Sequence, residues 1–455
     1  MKYILPFFFF LYVTSVSANV FEEKCNDDNL MWTNKSGVCV HKDLFPFVKE
    51  DAILTIVVIF LSIFSAMGGI GGGGILIPTY ILLGAFETYY AIPLTVITIG
   101  GSSLIRLLIL FNKRHPLNYK KYLIDYGIIF LIVPFDANTS FLGFILNSIS
   151  PNWLILASVI IILGIISFKT FKKGLSEYRR ESYLINNKNV NQIIIDGIAF
   201  PIRRHVMEVD GIELEVTSDE YKKAVNNYPV DKSIDRFKNF GILIVIFSIT
   251  NGFTFLRKYL SETCEPWYWG IYGIQFVVVF AMGIVIAKYN IFSWEKRREK
   301  GYQIMQGEVH WDKKTTIKYA LVSSAVGAIS TYLGIGGGMI TGPFFLQIGM
   351  LPEIVAATNS VTTFFSALAS SFQYFGTDRV LPYYSLYFFV LSGFSSIIGL
   401  KLSSYVSKKF NRKSFIIFIL SGLIGLSTIM LVVLGSINIS SEIKEGKSFG
   451  FKNFC

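Results

Sequence analysis

Charge is scarce in this chain. Only 16% of its 455 residues are Asp, Glu, Lys or Arg, 52% are hydrophobic, and mean hydropathy is +0.51. Histidine and cysteine are thin too, four of each. The histidines His41, His115, His205 and His310 fall in loops and form no ligand pair, and the cysteines lack metal-site spacing. The glycine clusters are not followed by the Gly-Lys-Ser/Thr of a phosphate loop. These absences remove the usual enzyme chemistries, so the chain reads as a non-enzyme with no cofactor and no metal. The net charge of +11 would suit a nucleic acid. The basic residues, however, lie in loops between apolar runs, the positive-inside pattern of a membrane protein, and no nucleic-acid partner is expected.

What is present is a set of long apolar segments: 52–84, 88–111, 122–148, 152–171, 240–256, 267–287, 316–349, 353–375, 383–404 and 414–434. Runs of about 20 apolar residues read as membrane spans. Ahead of them stands a signal peptide, residues 1–18, with Lys2, an apolar core from Ile4 to Val13 and a small-residue cleavage site ending at Ala18. Residues 19–51 are polar and acidic and are expected on the lumenal or extracellular side, where Cys25 and Cys39 make a plausible disulfide.

Inside two of the apolar segments the same phrase occurs twice. Gly69–Pro78 reads GIGGGGILIP and Gly334–Pro343 reads GIGGGMITGP, an offset of 265 residues. The register continues through Gly84 and Gly349, Ala91 and Ala356, Val96 and Val361, Thr98 and Thr363. Such a duplication, with a broken helix in each copy, is the sequence pointer to a transporter binding site.

Both glycine-bearing segments are too long for one simple span. Four linkers carry clustered cations: Lys113, Arg114, Lys120 and Lys121; Lys172, Lys173, Arg179 and Arg180; Lys296, Arg297, Arg298 and Lys300; Lys408, Lys409, Arg412 and Lys413. If the glycine segments cross fully, the first three linkers land outside. If both are re-entrant, all four lie on the cytoplasmic side, as the charge rule requires. The expected fold is therefore an all-α polytopic membrane protein, an inverted repeat with about eight full spans plus two glycine-broken re-entrant hairpins. Its parts are a first transmembrane repeat (52–171), a cytoplasmic linker (172–238), two extra spans (239–289), a cytoplasmic loop (290–315), a second transmembrane repeat (316–435) and a C-terminal tail (436–455). The sequons at Asn34, Asn138 and Asn438 then fall on the outer side as glycosylation candidates. Within the linker, 192–200 and 205–216 are β-like around the Asp210-Gly211 turn signal.

Glycine lets the backbone leave the helix and approach a ligand. The half-helix that restarts presents unpaired N–H groups and the positive end of its dipole, which suits an anion. Candidate anion-binding residues are Gly71, Gly72, Gly73 and Gly74 in the first copy and Gly336, Gly337 and Gly338 in the second. Thr95, Thr358, Asn359 and Ser360 on the following helices are candidates to complete the shell with neutral donors. The alternative use of these small residues is close helix packing. Arg106 and Lys401 read as cations snorkelling to the interface. Asp136 reads as an exposed loop position rather than a proton relay, and Gln275 and Gln373 as polar groups within spans.

With these residues in view, the chain resembles the sulfite exporter TauE/SafE family of integral membrane proteins, especially its eukaryotic members. The run LGIGGGMITGPFFLQIGMLPEIVAATNS from Leu333 to Ser360 carries the resemblance best, followed by SSFQYF and the Pro382-Tyr383-Tyr384 opening. In the first half the glycine cluster with Pro78 fits, as does the pattern Leu146, Asn147, Pro151, Trp153 and Leu154. The family's Ala-x-x-Thr-Ser run is Ala-Ala-Thr-Asn-Ser at Ala356–Ser360 and degenerates at Ala91–Thr95. The resemblance implies a secondary transporter of sulfite, sulfonates or related oxyanions, with a coupling proton or other ion and the lipid bilayer as further partners. The expected location is the plasma membrane or an endomembrane, reached through the secretory pathway. A non-transporting scaffold or receptor, and an anion channel, are the alternatives.

Overall fold

The computed structural model describes residues 32–35, 38–115, 118–186, 192–195, 198–201, 205–209, 212–216, 233–260, 265–299, 308–333, 335–374, 380–410, 412, 414–444 and 450–451. The signal-peptide segment, Cys25, Cys264 and Cys455 lie outside these residues, and of Asn34 and Cys39 only the backbone is described, as paired positions of β1 and β2.

Among the described residues the chain is helical almost throughout. The helices are α1 (Lys49–Gly68), α2 (Gly73–Gly84), α3 (Thr88–Leu110), α4 (Tyr126–Ile149), α5 (Asn152–Asn186), α6 (Ser233–Leu260), α7 (Pro266–Glu299), α8 (Lys313–Leu333), α9 (Gly338–Gln347), α10 (Pro352–Tyr374), α11 (Pro382–Phe410) and α12 (Ser414–Lys444). The strands form only antiparallel two-stranded ribbons: β1 (Trp32–Lys35) with β2 (Val38–His41), β3 (Arg114–His115) with β4 (Asn118–Tyr122), β5 (Gln192–Ile195) with β6 (Ile198–Pro201), and β7 (His205–Val209) with β8 (Ile212–Val216). The last two ribbons are the β-like runs of the linker.

Each glycine phrase breaks a helix in the same way. At the end of α1, Gly69 takes φ 72° and its N–H reaches Ala66 O, while Ile70 N–H reaches Ser65 O at 3.1 Å. This is the Schellman closure, for which glycine carries no Cβ penalty. The equivalent bond from Ile335 N–H to Ser330 O, 3.2 Å, closes α8. The short helices α2 and α9 then turn back. Gly84, at the end of α2, lies against Leu54 near the start of α1, and its carbonyl accepts from the His41 ring at 2.9 Å. His41 in turn contacts Tyr384 beside the Lys42–Asp51 ion pair. In the second copy Phe344 of α9 meets Tyr319 of α8 edge to face, with ring centroids 6.0 Å apart. Both glycine segments are therefore hairpins. At 1.5 Å per residue their long arms measure about 30 Å and their short arms about 15–18 Å.

The hairpins open at opposite ends of the bundle, because α3 starts at the mouth of the first and ends beside the second. There Arg236 packs over Phe111 and Tyr122, and Lys121 pairs with Glu308 at 2.9 Å. The four basic linkers gather at this second mouth. Arg412 donates to Ser182 at 2.7 Å, and Trp294 meets His310 with ring centroids 5.7 Å apart. The packing between repeats comes in matched pairs: α1 on α11 as α8 on α4, α2 on α12 as α9 on α5, α3 on α10, and α5 on α12. The extra helices α6 and α7 pack on α4 and, among the described residues, have no counterpart against α11.

Among the described residues, eight helices are long and apolar enough to cross a membrane: α1, α3, α4, α5, α6, α7, α11 and α12. The number matches the expectation, but the membership does not. The long arm α1 qualifies by itself, and α10 does not, because Thr358, Asn359, Ser360, Thr362 and Thr363 lower its hydropathy. Outward faces are apolar, as at Val277, Val285, Leu386 and Phe394, all well exposed. Helix α12 runs to Lys444, so the backbone of Asn438 is helical rather than part of a tail.

Candidate functional site

The two tips meet. Gly74 N–H lies 3.1 Å from the Met339 sulfur, a contact between positions that correspond in the two repeats. The Asn359 amide bridges them, donating to Gly69 O at 2.8 Å and Gly338 O at 2.9 Å while its oxygen accepts from Thr341. Asn359 is thus fully committed to tying one break to the other. Its oxygen also accepts from Thr362 at 3.2 Å, and these bonds satisfy buried groups that would otherwise be costly to leave unpaired.

The glycines of the two copies have different surroundings. A Cβ at Gly69 would sit 2.6 Å from Ala356, one at Gly71 2.7 Å from Ile99, and one at Gly74 2.9 Å from Met339. At Gly73 it would collide with Ile335 O and at Gly72 with Ser65 Oγ. In the second copy a Cβ at Gly337 would meet nothing closer than Ser366 Oγ at 3.6 Å and the Asp136 carboxylate at 3.8 and 3.9 Å. Gly336, at φ 76°, is equally open, and only Gly338 is crowded, by Thr363.

Gly336, Gly337 and Gly338 open onto a cavity of about 110 Å³, room for several waters or a compact oxyanion. Helices α3, α4, α6, α7, α8 and α10 complete its wall with Val96, Asp136, Asn251, Gln275, Thr331 and Ser366 among others. No acceptor for the amides of Gly336, Gly337 and Gly338, nor for those of Gly71, Gly72 and Gly73, exists among the described residues. Gly336, Gly337 and Gly338 set a helix N-terminus at the wall of a partly polar cavity, the arrangement that holds anions by main-chain donors.

The other predicted shell residues are not on this wall. Thr95 is buried with its hydroxyl unpartnered, away from the cavity lining. Thr358 accepts from Asp125 N–H at 3.2 Å, towards the second mouth. The Ser360 hydroxyl bonds Ala356 O in its own helix at 2.6 Å. Three sequence readings are corrected. Asp136 is not a loop residue: it lies within α4, its Oδ1 shielded and unpartnered, facing the cavity. Arg106 does not snorkel. It is 0% exposed beneath the first tip, with Nη1 3.4 Å from Ile70 O and Nε and Nη2 unpartnered. Asn138 is 1% exposed inside α4 and donates to Phe276 O at 3.3 Å, so it is no glycosylation acceptor. Lys401 is exposed, as read. Gln275 lines the cavity with its oxygen unpartnered. Among the residues missed, Asn251 and Ser366 carried no local signal, while Asp136, next to Pro134 in an apolar run, carried one in its rarity.

Fold and site together define a polytopic helical membrane protein built from two interlocked repeats around paired broken helices. Residues 228–429 match the family model described as sulfite exporter TauE/SafE. The chain is 26% identical over 413 residues to sulfite exporter TauE/SafE family protein 3 of Arabidopsis thaliana, covering 90% of this chain and 84% of that one. With family protein 1 of the same plant it shares 26% over 432 residues, 91% of each chain, and with family protein 5 it shares 27% over 419 residues, 90% and 88%. No solved structure matches. The resemblance read from the residues is borne out: residues 228–429 match the TauE/SafE family model, and the likeness to the plant proteins extends over nine-tenths of the chain.

Proposed function

We propose that this protein is a secondary carrier of a small sulfur-containing oxyanion, sulfite-like or sulfonate-like, working by alternating access around the joined hairpin tips. The observation that carries the reading is the start of α9, whose unbonded amides at Gly336, Gly337 and Gly338 open into the cavity. Main-chain donors bind an oxyanion without placing a mobile charge in the membrane. Arg106, buried and incompletely paired under the first tip, holds the interior at a positive potential that favours an anion. The clustering of all four basic linkers at the second mouth supports a cytoplasmic location for that end. The match of residues 228–429 to the sulfite exporter TauE/SafE model supports the class of cargo. The two interlocked repeats, each with its own hairpin and opposite mouth, are suited to rocking around a fixed central site.

The test is uptake of labelled sulfite, sulfate and taurine into liposomes holding the purified protein. Saturable uptake of one anion is expected in the wild type. In Gly337→Leu, whose side chain fills the cavity, uptake falls by about two orders of magnitude or more, with the protein still monodisperse. Normal uptake in that variant removes the site from α9. Flux that never saturates assigns a channel, and no flux of any anion favours a scaffold.

A further inference from the structure

The cavity contains a group that an anion site does not need. Asp136 sits on α4 with both carboxylate oxygens within 4 Å of where a Cβ on Gly337 would lie. Its Oδ1 is closed off from solvent and has no hydrogen-bond partner, and no ion pair reaches it among the described residues. Among the described residues it is the one acid on the cavity wall, where Tyr374 of α10 is the other ionisable side chain. Among the described residues the remaining elements against α4 form no ion pair with it. Arg257 of α6 is held over Phe141, 4.0 Å from the ring centroid, and Tyr272 of α7 donates to Asn138 O at 3.3 Å. Helix α8 presents Ser330 and Thr331 to the cavity.

A lone carboxylate in such a place is costly to keep ionised. It also faces the same helix N-terminus that would hold the cargo, so an ionised Asp136 and a bound oxyanion compete for one set of amides. We propose that Asp136 is the proton-coupling group of the carrier: its carboxylate takes up one proton as an oxyanion binds at Gly337 and Gly338, and gives it back when the anion leaves on the other side. The step forms one O–H bond at the carboxylate from an aqueous proton and later breaks it, with no redox change. Proton and anion then cross together, one for one. This inference rests on the carrier reading above.

The experiment uses the full chain in liposomes, with sulfite and with methanesulfonate, whose charge is constant across the pH range and cannot imitate coupling. In the wild type an acid-outside gradient should concentrate the anion about tenfold per pH unit, and adding methanesulfonate to the protein in weak buffer should remove protons from solution. In Asp136→Asn, where the amide resembles the protonated acid, both effects should vanish. Sulfite–sulfite exchange should continue at a reduced rate, and Asp136→Glu should recover part of the gradient response. Gradient-driven accumulation or proton uptake persisting in Asp136→Asn overturns the proposal. Saturable wild-type exchange that ignores the gradient overturns it and leaves the carrier standing. Neither uptake nor exchange in the wild type defeats the carrier reading and this proposal with it.

Discussion

The two hairpins share a phrase of sequence and a backbone closure, yet they differ in what lies over them. The first is sealed. Helix α11 presses its backbone onto α3, the helix after the first hairpin, so closely that a Cβ at Gly101 would collide with Phe389, and Ser392 and Ser396 bond Thr98 O and Ser102, both at 2.7 Å. The second is covered by α4 and the extra pair α6 and α7, which bring Asn251, Thr254 and Gln275 instead of a tight apolar seam. Glycine in the first copy is therefore chiefly a packing residue, the alternative that the sequence left open, and glycine in the second leaves open space. The charges follow the same division, with Arg106 under the first tip and Asp136 beside the second.

The comparison can be attacked where the tips join. Replacing Asn359 by Leu removes the partner of Gly69 O and Gly338 O in the interior, and each group left unpaired costs about 1–3 kcal/mol. The largest loss of thermal stability is expected here, and an unchanged unfolding midpoint would show that the tips hold without their bridge. A sharper contrast sets Gly73→Ala against Gly337→Ala. The first forces a methyl onto Ile335 O and should cost roughly 1–3 kcal/mol. The second meets only ordinary contacts and should shift stability by less than about 0.5 kcal/mol while reducing sulfite uptake. Equal stability losses in the two variants would erase the distinction between sealed and open hairpins. For Arg106→Met no loss of stability is expected. Removing an incompletely paired buried charge should leave the substrate-free protein at least as stable, by about 0–2 kcal/mol. It should also raise the KM for uptake several-fold, so an unchanged KM would confine Arg106 to packing.

Much of this architecture was legible in the residues. The duplicated phrase at Gly69 and Gly334 located both breaks, and the basic linkers required re-entrant segments, which the return of Gly84 to Leu54 and of Phe344 to Tyr319 makes concrete. The site was legible in part. Gly336, Gly337 and Gly338 reach the cavity, but Thr358 and Ser360 spend their hydroxyls elsewhere, and Asn359 is a clamp rather than a free donor. A polar side chain in an apolar helix announces that it needs a partner, but its spacing along one helix does not say which neighbour supplies it.

Asp136 and Arg106 show the same limit from the other side. Their positions near span ends suggested access to water, and only the packing of α4 against α8 and of α3 against α10 and α11 takes that access away. The sequence by itself determined the apolar spans, the two helix breaks and their repeat, because hydropathy and glycine's backbone freedom act within a few turns of chain. Which glycines are packed and which face a cavity, and where the buried acid and cation lie, was decided by tertiary structure. Those properties depend on contacts between helices more than a hundred residues apart, and on one added helix pair that covers the second hairpin and leaves the first to α11.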